Sequence, residues 1–153
     1  MAGENSLPVQ HIPDDFSIET ISLPLVVPAT GWPVLYADRD LVIDSITVGV
    51  CVASTTASQT AIFSKTTSGI RNASDNSKIT PTQVFTSPTS IMAAGSVAIS
   101  TIGTYVLTTD SATNNLSTSL NRLDAGNWLI FVPSAATVGM TCTVQIRARS
   151  RQK

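Results

Sequence analysis

The side chains in this sequence that are suited to chemistry are few, and their spacing does not assemble a reaction centre. The single histidine is His11. A histidine acting as general acid or base needs partners held rigidly within hydrogen-bond reach. His11 sits between Pro8 and Pro13 and precedes Asp14 and Asp15. Prolines at that spacing keep a segment out of helix and central strand. An extended segment does not hold a catalytic constellation by itself. The other acids, among them Asp38, Asp40, Asp44, Asp75, Asp110 and Asp124, are scattered and fall mostly in inferred turns. Asp is favoured there because its side chain hydrogen-bonds the local backbone. Asp38–Arg39–Asp40 offers oxygen ligands of the kind Ca²⁺ takes, but the glycine and distal glutamate of a calcium loop are missing. A charged corner is the simpler reading. Paired glycosidase carboxylates are defined by spatial separation, and nothing in the spacing points to them.

Cys51 and Cys142 are the only cysteines, and they form no CxxC and no metal-ligand spacing. Cys142 falls in an apolar register, whereas Cys51 has the opposite parity to Ile46, Val48, Val50 and Val52. Two free thiols on different sides of their sheets are expected. Trp32, Tyr36, Tyr105 and Trp128 have the chemistry of a sugar platform, but aromatic residues in strands are more often core. Arg147, Arg149, Arg151 and Lys153 make the carboxyl end basic. They suit either a solvated strand edge or contact with an acidic protein surface. Asn72-Ala-Ser and Asn115-Leu-Ser match the glycosylation sequon, a coincidence to be expected in a chain rich in Asn and Ser. No catalytic residue, cofactor or metal is expected, and the chain reads as a protein that is not an enzyme.

The elements behind these residues are strands. Residues 140–150 alternate strictly. Cys142, Val144, Ile146 and Ala148 lie on one face, and Thr141, Thr143, Gln145, Arg147 and Arg149 on the other. That period marks a half-buried strand. Leu41–Ala53 is a long strand whose parity shifts near Asp44–Ser45, as a β-bulge requires. Asn127–Val132 is apolar on both faces, which marks a central strand. Asp124–Ala125–Gly126 is a turn, with Gly where positive φ is cheap. Further strands are expected at Ile21–Val27, Trp32–Ala37, Gln59–Thr66, Lys78–Thr86, Ser96–Ile102, Tyr105–Thr109 and around Leu116–Leu120. A polar loop is expected over 67–77, one helical turn at 89–95, and a short hairpin-like link at 134–139. Many short strands separated by turn signals indicate an all-β, antiparallel, jelly-roll-like β-sandwich. Three parts are predicted: an extended amino-terminal arm over 1–20, a sandwich over 21–150 and a basic tail over 151–153. An arm of about twenty residues reaches roughly 60 Å when extended.

Composition bounds the function. A chain of 153 residues buries roughly two-thirds of its unfolded surface and needs no staples. The net charge of −1 lacks the electrostatic footprint of a nucleic-acid binder. Charged residues are 12% of the chain, about half the usual share, and Ser and Thr fill the gap. Thr suits strands because its branched Cβ restricts it. Short hydroxyl side chains also lose little entropy at a contact. Such a surface is suited to packing against neighbours. The first ten residues have no basic start followed by an apolar stretch, which argues against a signal peptide. No run is long enough to span a bilayer, so no membrane partner is expected, and synthesis is expected in a cytoplasm.

Four stretches carry a family resemblance: the arm Met1–Thr20, then ADRDLVIDSITVGV, then TAIFSK, then LNRLDAGNWLIFVPSAATVGMTCTVQIRAR. The pattern resembles phage virion accessory proteins, particularly capsid decoration (cement) proteins and head-fibre β domains. It covers most of residues 20–149 and is a likeness of texture more than of invariant motif. At the Gly126 turn, Asn127 stands where such proteins commonly carry an acid. The resemblance implies a homotrimer on the capsid outer surface of a virion, made in the host cytoplasm, that clamps neighbouring major capsid subunits. Under it, Pro8, His11, Pro13, Asp14 and Asp15 of the arm become candidate capsid contacts. Thr143, Gln145, Arg147 and Arg149 become candidate subunit contacts. The alternative it leaves open is a fibre or adhesin domain that binds host surface glycans.

Overall fold

A computed structural model of the chain describes residues 16–66 and 89–151. Among them there are twelve strands and no helix: β1 Phe16–Ser22, β2 Trp32–Tyr36, β3 Leu41–Val52, β4 Thr60–Thr66, β5 Thr89–Ser90, β6 Met92–Ala94, β7 Val97–Ala98, β8 Gly103–Thr108, β9 Asn115–Leu116, β10 Arg122–Leu123, β11 Trp128–Pro133 and β12 Thr141–Ser150. One sheet has the order β1-β12-β3-β8-β9-β6, with β10 also on β3; the other has the order β2-β11-β4-β5, with β7 also on β4. Pairing is antiparallel except between β8 and β9. The protein is an all-β sandwich.

The alternation of β12 settles how the two sheets meet. Cys142, Val144, Ile146 and Ala148 are buried, together with Ile43, Ile46, Val48 and Val50 of β3. Opposite them lie Phe63 of β4 and Phe131 of β11, whose rings meet edge-to-face at 5.6 Å. That geometry matches the positive ring edge of one aromatic to the negative face of the other. β11, apolar on both faces, lies between β2 and β4 as a central strand. Among the described residues β2, which carries Pro33, is an edge strand, where a missing N–H is tolerated.

Several boundaries differ from the sequence reading. Residues 16–20, assigned to the arm, belong to β1, every residue of which pairs with β12 from Phe16↔Arg149 to Ser22↔Thr143. The chain then leaves the sheet, so 23–27 is not a strand. Residues 89–95 form no helical turn. They are β5 and β6, which pass from one sheet to the other. Gly95 follows, at φ +76°, with Thr113 and Asn114 packed where a Cβ would stand. The alternation at 116–120 is a two-residue strand followed by a turn. Residues 134–139 do not close a hairpin, because β11 and β12 lie in different sheets. This link crosses the sandwich end, held by the buried Thr137, which accepts the Val27 N–H at 2.7 Å, and by Gln59, whose Nε2 donates to the carbonyls of Ala135 and Ala136. Both cysteines are free, Cys51 exposed and Cys142 buried. The loop at 67–77, the strand at 78–86 and the Asn72 sequon lie outside the described residues.

Candidate functional site

The outer face of the larger sheet carries the β12 residues singled out by sequence. Its registers place them in rows. Ser22, Thr143, Gly49 and Thr104 form one row, Thr20, Gln145, Thr47 and Val106 the next, and Ile18, Arg147, Ser45 and Thr108 the third. The face is nearly devoid of charge, with Arg147 alone ionic among these twelve positions. Ile18 is 61% exposed and Val106 54%. A Cβ on Gly49 would stand 3.1 Å from Thr143 Oγ1, so the glycine lets the threonine lie close over β3. Thr143, Gln145 and Arg147 are therefore brought together on one broad surface. Arg149 lies on the same side but is tied within the chain, its Nε 3.2 Å from Asp44 Oδ1. Pro8, His11, Pro13, Asp14 and Asp15 lie outside the described residues.

Where this face ends, a polar pocket opens, and the expected bulge builds it. Between Arg147 and Ala148 the β12 register slips: these residues face Ser45 and Ile43, leaving Asp44 without a β12 partner. A bulge of this kind re-aims a side chain. The opposite edge of β3 is shared. β8 covers Ser45–Val50 and β10 covers Leu41–Val42. Asn121 fills the interruption: its carbonyl accepts the Ile43 N–H at 2.9 Å, and its Nδ2 donates to the Ile43 carbonyl at 3.0 Å. The pocket, about 260 Å³, is lined by Val42, Asp44, Thr109, Thr118, Asn121, Arg122 and Arg149. Asp44 Oδ2 and Asn121 Oδ1 are buried atoms with no hydrogen-bond partner among the described residues. Asn121 was not singled out by sequence. It lies between the alternating run at 116–120 and the turn at 124–126 with no pattern of its own, and only the gap between β8 and β10 gives it a role.

The charged corner is structural. Asp40 Oδ1 accepts the Ala125 N–H at 3.0 Å, and Asp40 Oδ2 meets Arg151 Nη2 at 3.1 Å. The same Nη2 meets Asp124 Oδ1 at 3.0 Å. These contacts raise the Arg151 pKa above its ordinary value, the Asp40 hydrogen bond most. Arg151, assigned to a basic tail, thus buckles the end of β12 to two turns. Among the described residues no group of three or more His, Cys, Asp or Glu could hold a metal ion, and no helix is long and apolar enough to cross a membrane.

The aromatic residues depart from the core reading. Tyr36 is 50% exposed, Trp32 is exposed at the rim, and Trp128 is half-buried. Tyr36 and Trp128 pair across β2 and β11 with ring centroids 4.9 Å apart. Tyr105 packs partly against the core. Among the described residues the core aromatics are Phe63 and Phe131. Trp128 is alternated outward by the same register that turns Leu129 and Phe131 in, which a run of consecutive apolar residues conceals. No protein-family model matches the chain, and no curated protein matches it either.

Proposed function

We propose that this chain is a virion structural protein that decorates a phage capsid and stabilises it by clamping neighbouring major capsid subunits. The observation that supports this reading is the outer face of the β1-β12-β3-β8 sheet, a broad, hydroxyl-rich, nearly uncharged surface with Ile18 and Val106 exposed on it. Such a surface gives up little side-chain entropy and little charge hydration when covered. In this reading three copies associate, with Thr143, Gln145 and Arg147 in the subunit contact and Arg149 at its margin. The segment before β1 reaches the major capsid protein through Pro8, His11, Pro13, Asp14 and Asp15. Each contact of standard size would cover on the order of 1,600 Å². Stabilisation then comes from interface area and needs no chemistry.

The strand assignment sharpens the test. Removal of residues 1–20 would strip most of β1 from β12, so the informative truncation begins at Phe16 and keeps every described strand. Binding to capsids is measured by co-sedimentation, with circular dichroism as the check on folding. The truncated chain is expected to stay folded and to lose capsid binding. Undiminished co-sedimentation of the folded truncation overturns the clamp. A second reading, a fibre or adhesin domain binding host glycans, is favoured by the exposed Tyr36 ring against Trp128. Its test is a glycan array, on which Tyr36→Ala should abolish signal.

A further inference from the structure

We propose that the end of the sandwich where β3 finishes and β12 begins is a contact between two copies of this chain, joined end to end about a two-fold axis. The segments 23–31, 53–59, 99–102 and 134–140 meet there. Backbone hydrogen bonds stitch them together: Met140 N–H to the Leu25 carbonyl at 3.2 Å, Thr55 N–H to the Val138 carbonyl at 3.2 Å and Ser54 N–H to the Ile99 carbonyl at 3.0 Å. Leu25, Val26, Val52, Ile102 and Val138 project from this end, each at least half exposed. None of the four segments contains Asp, Glu, Lys, Arg or His. Along β3 the nearest charge is Asp44, about 26 Å behind Val52, and along β12 it is Arg147, about 20 Å beyond Thr141. Glu19 on β1 is closer, about 10 Å behind Ser22, still beyond the Debye length of about 8 Å. The charged turns with Asp38, Arg39, Asp40 and Asp124 lie at the other end. The undescribed residues also join the fold there, before Phe16 opposite Arg149 and between Thr66 and Thr89, which stand opposite Trp128 and Lys65.

Charge and area choose the occupant. Across a two-fold axis the same patch meets itself, so a charge near the axis would face its own like charge. An end with none escapes that repulsion. Contacts between identical subunits are also the more apolar kind, with charge depleted at their centre. A different protein partner is selected largely by complementary charge, and this end carries no charge to be read. A lipid surface calls for basic residues beside the apolar ones, whereas here the aliphatic side chains are interleaved with the exposed hydroxyls of Thr55, Thr56, Ser58 and Ser134. The carbonyls of Leu25, Val138 and Ile99 are already bonded within the chain, so covering them leaves none of the three unsatisfied. Four strands about 4.8 Å apart and two layers about 10 Å apart give an end roughly 20 Å across each way. Two such ends cover on the order of 1,000 Å², the low end for a specific contact. The pairing is therefore weak, populated near millimolar concentration and not at the micromolar concentrations of chromatography. It uses a different surface from the outer face of the larger sheet and does not rest on the capsid reading.

The chain carries its own probe site, because Cys51 is exposed beside Val52 and Cys142 is buried. The test mixes ¹⁵N-labelled full chain with unlabelled chain bearing a nitroxide on Cys51, at millimolar concentration. Broadening of amide signals in the labelled copy then reports only contact with another copy. It is expected at residues 25, 26, 102 and 138, and tenfold dilution should remove most of it. Leu25→Asp and Leu25→Lys, changes at an exposed position, should each abolish the broadening when either is the only chain present. A one-to-one mixture of the two variants should restore it, since unlike charges then meet across the axis. No broadening between wild-type copies overturns the proposal, as does broadening confined to the rows of Ile18 and Val106. A mixture of the two variants that stays unbroadened overturns it too. Flotation of the wild type with phosphatidylcholine vesicles, lost in Leu25→Asp, would assign this end to a lipid surface instead. Each of these results leaves the capsid co-sedimentation and the glycan array to be decided separately.

Discussion

At the scale of single residues, the two cysteines show how burial sets chemistry. Cys142 lies on the core face of β12 and its thiol pKa is pushed up to about 12, first by burial and then by the neighbouring Cys51. The neighbour is set by the register, since Cys142 faces Val50, Thr141 faces Val52, and Cys51 is the extra residue between. The sign of the pH effect follows. The folded state holds the Cys142 proton above the pH at which an unfolded thiol, with pKa about 8.5, releases it. The stability this provides is complete below about pH 8.5 and is lost as pH rises from there towards 12. The loss runs at about 1.4 kcal/mol per pH unit. Denaturation of the wild type and of Cys142→Ala across pH 8 to 11 should give profiles that converge with rising pH. Parallel profiles would refute the buried-thiol account. A thiol reagent should label one cysteine, Cys51, in the folded chain and both in denaturant.

At the scale of elements, what the sequence discloses depends on whether one strand's own pattern decides the outcome. β12 is legible because its two faces meet different solvents. The Asp44 bulge is legible because a bulge leaves a parity shift in the hydrophobic pattern. The centrality of β11 is legible because it is apolar on both sides. The order of strands is not, since β12 sits between β1 and β3 and nothing within β12 encodes its neighbours. The pocket is invisible for the same reason: Asp44, Asn121 and Arg149 come from three elements far apart in the chain. The cross-over at 134–139 belongs here too. It reads as a hairpin because it is short and polar, yet it changes sheets, and Thr137 makes that possible by accepting the Val27 N–H. Thr137→Val keeps the volume and removes the acceptor. It should cost about 1–3 kcal/mol by leaving a buried N–H unsatisfied, read as a lower urea midpoint. Thr137→Ser, which keeps the hydroxyl, should recover most of that loss. Equal midpoints for Thr137→Val and wild type would show that the hydroxyl is not what holds the crossing.

At the scale of the whole molecule, the question is what covers the outer face of the β1-β12-β3-β8 sheet. Ile18 and Val106 lie in neighbouring rows on β1 and β8, three strand spacings apart, or about 14 Å, with Arg147 and Ser45 continuing the row of Ile18 and Gln145 and Thr47 that of Val106. A contiguous surface with exposed apolar residues and little charge is a recurrent mark of an interaction site. If that surface joins copies of this chain, light scattering coupled to size-exclusion chromatography should give about 48 kDa, three times the 16.1 kDa chain. The association should persist in high salt, because screening weakens only contacts between charges. Ile18→Glu combined with Val106→Glu would place two carboxylates where they lose hydration on association, and Arg147, opposite Ile18 and the one cation in these rows, cannot offset both. Both side chains are exposed, so the sandwich itself should keep its circular dichroism spectrum and melt as a folded protein. The double variant should therefore elute as a folded chain of about 16 kDa. A wild type that is monomeric at every concentration, or a variant that remains trimeric, would rule out this face as the subunit contact.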